Sequence, residues 1–283
     1  MNAVIFLVIL GGALGFVIAL AAKAFAVKTD PRVEEVEELL PQANCGACGY
    51  AGCAEFARAL VEGEATPENC PVSSPDEVQQ IASVLGVSLG ERLEKVAVVR
   101  CGGDNRLANW NANYNGILDC RSANLVAGGT KACQYGCLGL GTCARACPFD
   151  AIEITPHGLA VVHPDVCTGC GKCVAACPRN LIELVPKDAP LHNLCNNPEK
   201  GAQSRKVCDV SCIACQKCVK SAEEGQMYMD GFIARVNYEN PPSADLAEVC
   251  PTKCLQPSLL VKQSMPALEH REEAQQEEEV ANA

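Results

Sequence analysis

Residues 167–178 read CTGCGKCVAACP, placing Cys167, Cys170, Cys173 and Cys177 in a CxxCxxCxxxC run closed by Pro178. Three thiolates on one tight loop wrap three corners of a cubane iron–sulfur core, while the fourth, followed by proline, is aimed at a neighbouring core. The run predicts an α+β module built around metal clusters, and electron transfer is the chemistry such a module offers.

Upstream lies KACQYGCLGLGTCARACPFDAI. Counting back from Cys147 by the same spacing gives Cys143, Leu140 and Cys137, so this copy lacks its middle thiolate, and Cys133 is the nearest substitute. When each run donates its fourth Cys to the other's cluster, Cys167, Cys170 and Cys173 join Cys147, and Cys137, Cys143 and Cys177 take Cys133. A third run, CDVSCIACQKCVKSA, carries Cys212, Cys215 and Cys218 but has Ala222 where a fourth Cys would stand. Counting back from Cys250-Pro251 meets Leu246, Ser243 and Asn240, so one whole site is missing and its partner, Cys212, Cys215, Cys218 and Cys250, remains. The pair Cys133/Cys137 is echoed by Cys208/Cys212, each within a Lys-x-Cys-x-x-x-Cys stretch. Since Cys208 is surplus in the later copy, Cys133 is open to the same reading in the earlier one.

Nearer the N-terminus, NCGACGYAGC holds Cys45, Cys48 and Cys53, followed by Cys70-Pro71. Its glycines let a loop curl around an inorganic core, and AEFARALVEGE continues as a covering helix. Structural zinc is the alternative for this set. Four sets use sixteen of the 21 cysteines and leave Cys101, Cys120, Cys195, Cys208 and Cys254 as additional metal ligands or buried thiols. The expected cofactors are thus [4Fe-4S] clusters, at least three and four on this count. The sequence carries no recognisable constellation of catalytic acid, base or nucleophile.

Residues Ala3 to Ala22 carry no charge and precede Lys23 and Lys28, which predicts a helix long enough to span a bilayer. Positive charge at its C-terminal side places the rest of the chain in the cytoplasm, where thiols stay reduced. The net charge of the chain is -11, yet residues 100–220 hold 13 Lys or Arg against 9 Asp or Glu. Lys131, Arg145, Lys172, Arg179, Lys217 and Lys220, beside the cysteine runs, are expected to steer an acidic redox partner. Nucleic-acid binding is excluded by the small basic surplus and an aromatic content of 4%.

Taken together, the uncharged N-terminal segment, CGACGYAGC with Cys70-Pro71, GGTKACQYGCLGLGTCARACPFDAI and CTGCGKC resemble the RnfB family over residues 1–255 or so. That family is the iron–sulfur subunit of the Rnf complex, an ion-translocating ferredoxin:NAD oxidoreductase of bacterial inner membranes. The resemblance implies an electron relay between soluble ferredoxin and an NAD-reducing flavoprotein subunit, with ion movement left to other membrane subunits. It departs from the two-cluster pattern at Leu140 and Ala222.

The expected architecture is α+β: a transmembrane anchor at 1–26, a small helical 4Fe-4S domain at 27–90 and a Cys-containing connection at 91–130. A two-cluster ferredoxin-like module at 131–190, a degenerate ferredoxin-like module at 191–256 and an acidic disordered tail at 257–283 complete it. Two rival functions are a membrane relay that reduces an iron–sulfur transcription regulator, and a non-redox zinc-binding scaffold.

Overall fold

The structure, a computed structural model, describes residues 2–24, 30–90 and 93–258. Nearly all of the tail expected at 257–283 and the last residues of the expected anchor lie outside the described residues. The chain divides into two units, one of residues 1–44, 50–67 and 74–89, the other of residues 45–49, 68–73 and 90–283.

The first unit is helical. Helix α1 (Asn2–Ala24) exposes its large apolar side chains from Ile5 to Leu20. Among the described residues no helix is long and apolar enough to cross a membrane, and the side chains described in α1 cover residues 5–21 and Lys23. The transmembrane span expected at 1–26 is therefore not shown.

Helix α2 (Pro31–Leu39) starts where Asp30 accepts the Arg32 backbone N–H at 3.0 Å and Pro31 supplies the preset φ of a first helical residue. Helix α3 (Cys53–Glu62) ends on Gly63 in the left-handed conformation. Helix α4 (Pro75–Leu85) opens with a reciprocal capping box between Ser74 and Glu77. α2 packs on α3 and α4, and Val36, Leu40, Phe56, Leu60, Val78 and Ile81 are buried. Each fully buried side chain of this size contributes about 1.5–3 kcal/mol.

The second unit contains the same small fold twice. In the first copy the order is β1 (Lys95–Val99), α5 (Cys120–Leu125), α6 (Thr142–Arg145), β2 (Ile152–Ile154), β3 (Ala160–Val162), α7 (Lys172–Ala176) and β4 (Ile182–Pro186). β1 pairs antiparallel with β4, Lys95 opposite Pro186 and Val99 opposite Ile182, while β2 and β3 form the inner hairpin with Ile152 opposite Val162.

The second copy runs β5 (Leu191–Asn193), α8 (Gly201–Val207), α9 (Lys217–Ser221), β6 (Met227–Asp230), β7 (Ile233–Val236), a 3-10 turn (Ala244–Val249) and β8 (Leu255–Pro257). Again the outer strands β5 and β8 pair, and β6 and β7 form the inner hairpin. α9 thus takes the place of α6, and the 3-10 turn that of α7, each against the corresponding strand. Both copies thus share one mixed α/β arrangement, an outer antiparallel strand pair with an inner hairpin between its strands in sequence.

Both cores are thin. One is built from Ala97, Val99, Ile152, Val162, Leu181 and Ile182 around buried Cys101, Cys137, Cys143 and Cys173. The other places Cys195, Cys212, Cys218 and Cys254 among Leu191, Met227, Val236, Leu246 and Leu255. Side chains of a type that ordinarily binds metal do much of the filling of both cores.

Candidate metal centres

Among the described residues of the second unit, cysteines line four of the cavities. Cys147, Cys167, Cys170 and Cys173 line one together with Ala97 and Gly169. The loop is held against the outer sheet, since the Ala97 N–H donates to the Cys167 sulfur at 3.4 Å. Gly169 has φ +70°, and a Cβ there would run into the Lys95 carbonyl oxygen, so the loop's approach to β1 requires glycine. Burial, with the sulfurs of Cys167, Cys170 and Cys147 acting in the same direction, pushes the Cys173 thiol up to about 12.

The second cavity is lined by Cys120, Cys137, Cys143 and Cys177. Cys133, expected to complete this set, instead lines a different cavity, and Cys120 lines this one. Cys120 is brought there by the start of α5. Asp119 caps that helix by accepting the Ser122 N–H at 2.9 Å, and Thr142 accepts the Cys120 N–H at 2.7 Å while donating to Asp119 at 2.8 Å. Burial pushes the Cys143 thiol up to about 12, with Cys137, Cys120 and Cys177 adding to the rise.

Cys212, Cys215, Cys218 and Cys250 line the third cavity, and Cys254 joins them. The Cys250 and Cys254 sulfurs are 3.5 Å apart. Hydrogen bonding with Cys254 lowers the Cys250 thiol to about 4 and the Cys212 thiol to about 6, and the same contacts raise Cys254. Cys254 is thus a fifth sulfur in this cavity, within hydrogen-bond reach of Cys250.

The fourth cavity gathers Cys101, Cys133, Cys195 and Cys208, four residues that no local spacing connects. Burial pushes Cys195 up to about 12 and Cys208 up to about 11. Four thiolates in an apolar cavity repel one another and lack solvation, so ionising them needs a cationic core among them. Among the described residues no three His, Cys, Asp or Glu side chains are placed to hold a single metal ion.

The first set divides between the units: Cys53 opens α3 in one, and Cys45, Cys48 and Cys70 belong to the other. The Cys53 N–H is fixed by the Asn44 side-chain oxygen at 2.9 Å. Within the second unit Cys45 lies near enough to Cys170 for its charge to raise that thiol, after the larger effect of burial.

Two of the six cations expected at the surface are not free to steer a partner. Lys131 is 1% exposed and donates to the carbonyls of Gly103 at 2.9 Å and Gly158 at 3.4 Å. Arg179 is half-buried and donates to the carbonyls of Cys133 at 3.0 Å and Gly136 at 2.6 Å. Arg145, Lys172, Lys217 and Lys220 are exposed.

Comparison with known proteins bears on the same residues. A family model of an Fe-S cluster domain matches residues 40–72, and a 4Fe-4S dicluster domain matches residues 132–181. The B subunit of an ion-translocating oxidoreductase complex of Methanosarcina acetivorans is 38% identical over 90% of this chain and 97% of its own. The corresponding subunit of a proton-translocating ferredoxin:NAD(+) oxidoreductase complex of Clostridium ljungdahlii is 44% identical over 75% of this chain and 76% of its own. That of the Na(+)-translocating complex of Acetobacterium woodii is 40% identical over 85% and 73%.

Proposed function

Because the chain belongs to the B subunits of ion-translocating ferredoxin:NAD(+) oxidoreductase (Rnf) complexes, we propose that it carries electrons from reduced ferredoxin to an NAD-reducing flavoprotein partner. It is an electron-transfer subunit of an oxidoreductase complex, and it carries 4Fe-4S domains. The observation that supports the finer reading is the convergence of cysteines in fours within one small unit.

The proposed ligand sets are Cys147, Cys167, Cys170 and Cys173; Cys120, Cys137, Cys143 and Cys177; and Cys212, Cys215, Cys218 and Cys250. Cys45, Cys48, Cys53 and Cys70 form a further set, supported by their spacing and by the Fe-S family match over 40–72. When bound, each cluster supplies one-electron chemistry that needs no proton or bond to move with the electron. The chain's own part is to hold the sulfurs, exclude water and set the local charge. Ala97 and Leu181 direct backbone N–H groups at the sulfurs of Cys167 and Cys177, 3.4 and 3.5 Å away, which favours the added negative charge of reduction.

The exposed cations Arg145, Lys172, Lys217 and Lys220 are proposed as the surface met by an acidic ferredoxin. Helix α1 is proposed as a single-pass anchor in the cytoplasmic membrane, with the cluster-binding units on the cytoplasmic side. Its 23 residues measure roughly 34 Å at 1.5 Å per residue, and the sequence carries no charge from Ala3 to Ala22. That compares with a hydrocarbon thickness of about 30 Å.

The test is ferredoxin-dependent NAD+ reduction by membranes whose complex carries Cys170→Ala. Loss of the rate with the complex still assembled is expected; an unchanged rate would show that electrons take another route.

A further inference from the structure

The two ferredoxin-like copies correspond beyond their strands. At the end of β1 the Arg100 N–H donates to the Leu181 carbonyl at 2.8 Å, and at the end of β5 the Leu194 N–H donates to the Cys254 carbonyl at 2.7 Å. The next residue in each copy is a cysteine, Cys101 and Cys195. Likewise Cys133 and Cys208 each stand four residues before the first loop cysteine of their copy, Cys137 and Cys212. The fourth cavity is therefore lined by two equivalent pairs, one pair from each copy.

We propose that Cys101, Cys133, Cys195 and Cys208 ligate an additional [4Fe-4S] cluster at the seam between the two copies, passing electrons from one copy to the other. The inference rests on the iron–sulfur reading of the three ferredoxin-type cavities. All four cysteines are buried, and the copies meet here: the Gly102 N–H donates to the Leu194 carbonyl at 2.8 Å, and Ala108 bridges to Cys208. The empty space of this cavity, its mouth included, is about 350 Å³, against about 370, 300 and 340 Å³ for the other three.

The lining is also made for a charged sulfur site. The Cys137 N–H donates to the Cys101 sulfur at 3.3 Å, and the Asn197 side-chain amide donates to the Cys133 sulfur at 3.8 Å. A Cβ at Gly103 would stand 2.8 Å from the Cys208 sulfur, so only glycine leaves that sulfur its place. Lys131 and Arg179 bring positive charge to Cys101, Cys133 and Cys137, and among the described residues neither hydrogen-bonds a carboxylate. A buried cation without a carboxylate needs an anionic counterpart, which a cluster with four thiolates supplies.

On assembly the four thiols release their protons to solvent as four sulfur–iron bonds form, the iron and sulfide being delivered as for the other sites. In transfer, the oxidised cluster gains the single electron that its reduced neighbour at Cys137 loses, and the cluster at Cys212 takes it in turn. Cys195 lies near enough to Cys212 to feel its charge, which provides the exit.

The experiment is anaerobic reconstitution of the full chain, with iron, acid-labile sulfide and zinc counted per chain, for the parent protein and for Cys195→Ala/Cys208→Ala. Five sites hold about twenty irons and twenty sulfides, and the variant is expected to lose about four of each. About sixteen irons in the parent protein, or one zinc in place of four irons, overturns the inference while leaving the relay reading intact. An iron count unchanged by the double substitution also overturns it. Iron near zero in the parent overturns both readings. If the variant does not fold, the parent count still decides.

Discussion

The backbone N–H of Cys137 points at the sulfur of Cys101, 3.3 Å away. One residue belongs to a ferredoxin-type cavity and the other to the cavity at the seam, so a single hydrogen bond connects two candidate cluster sites. The charge of Cys101 adds to the larger effect of burial in raising the Cys137 thiol to about 11.

Replacing Cys120 by Ala is expected to remove the cluster held by Cys137, Cys143 and Cys177, at a loss of about four irons per chain. Cys133→Ala should leave that cluster in place. Leu140 stands where the second copy has Cys215, so Leu140→Cys in the Cys120→Ala background should restore the iron. Iron analysis with EPR of the reduced protein distinguishes these outcomes.

Lys131→Met removes a buried cation close to Cys101 and Cys137 and leaves the Gly103 and Gly158 carbonyls without their donor, at a cost of about 1–3 kcal/mol. The midpoint potential of a cluster beside it should become more negative, by at least about 59 mV if the reduction equilibrium changes tenfold for one electron. Lys131→Arg should retain most of the parent potential, whereas clusters at Cys147 and Cys250 should be unmoved in both. Redox titration followed by EPR reads this directly.

His192 supplies a pH dependence. It is buried, its Nδ1 is 3.2 Å from the Tyr238 hydroxyl, and burial lowers its pKa to about 4. The unfolded chain binds a proton at about 6.5 and the folded one only near 4, so stability is fully present above about 6.5 and falls as pH drops through this window. His192→Gln should flatten the fall in Tm between pH 7 and pH 5 by an amount equivalent to about 2 kcal/mol. An identical slope in both proteins would show that the imidazole does not contribute.

Removing residues 1–26 should release the protein from the membrane fraction without changing its iron content. Retention of the shortened chain in membranes from cells lacking the partner subunits would show that attachment resides elsewhere.

The cysteines legible in the sequence are those whose ligand geometry is local. Cys167, Cys170, Cys173 and Cys212, Cys215, Cys218 each sit on one loop, and the Cys-Pro pairs at 177 and 250 follow the same spacing rule. Cys120 escaped that rule because the turn at Asp119 and the hydrogen bond to Thr142 bring it to its cavity. Cys101 and Cys195 were equally hidden, being equivalent only through the strand pairings of the two copies. The echo between Cys133 and Cys208 is legible in the sequence, and the cavity the two share is not. Charge counting likewise placed Lys131 among steering residues, since a sequence tally does not distinguish a solvated ammonium from one enclosed by two carbonyls.

The most direct measurement mixes the anaerobic, cluster-loaded full chain with substoichiometric reduced ferredoxin and follows the EPR spectrum. The account predicts that ferredoxin loses its electron to the chain, and that further additions give broadened spectra from reduced clusters interacting with one another. Ferredoxin that stays reduced, or a fully reduced chain whose clusters show only isolated, non-interacting signals, would contradict a continuous relay.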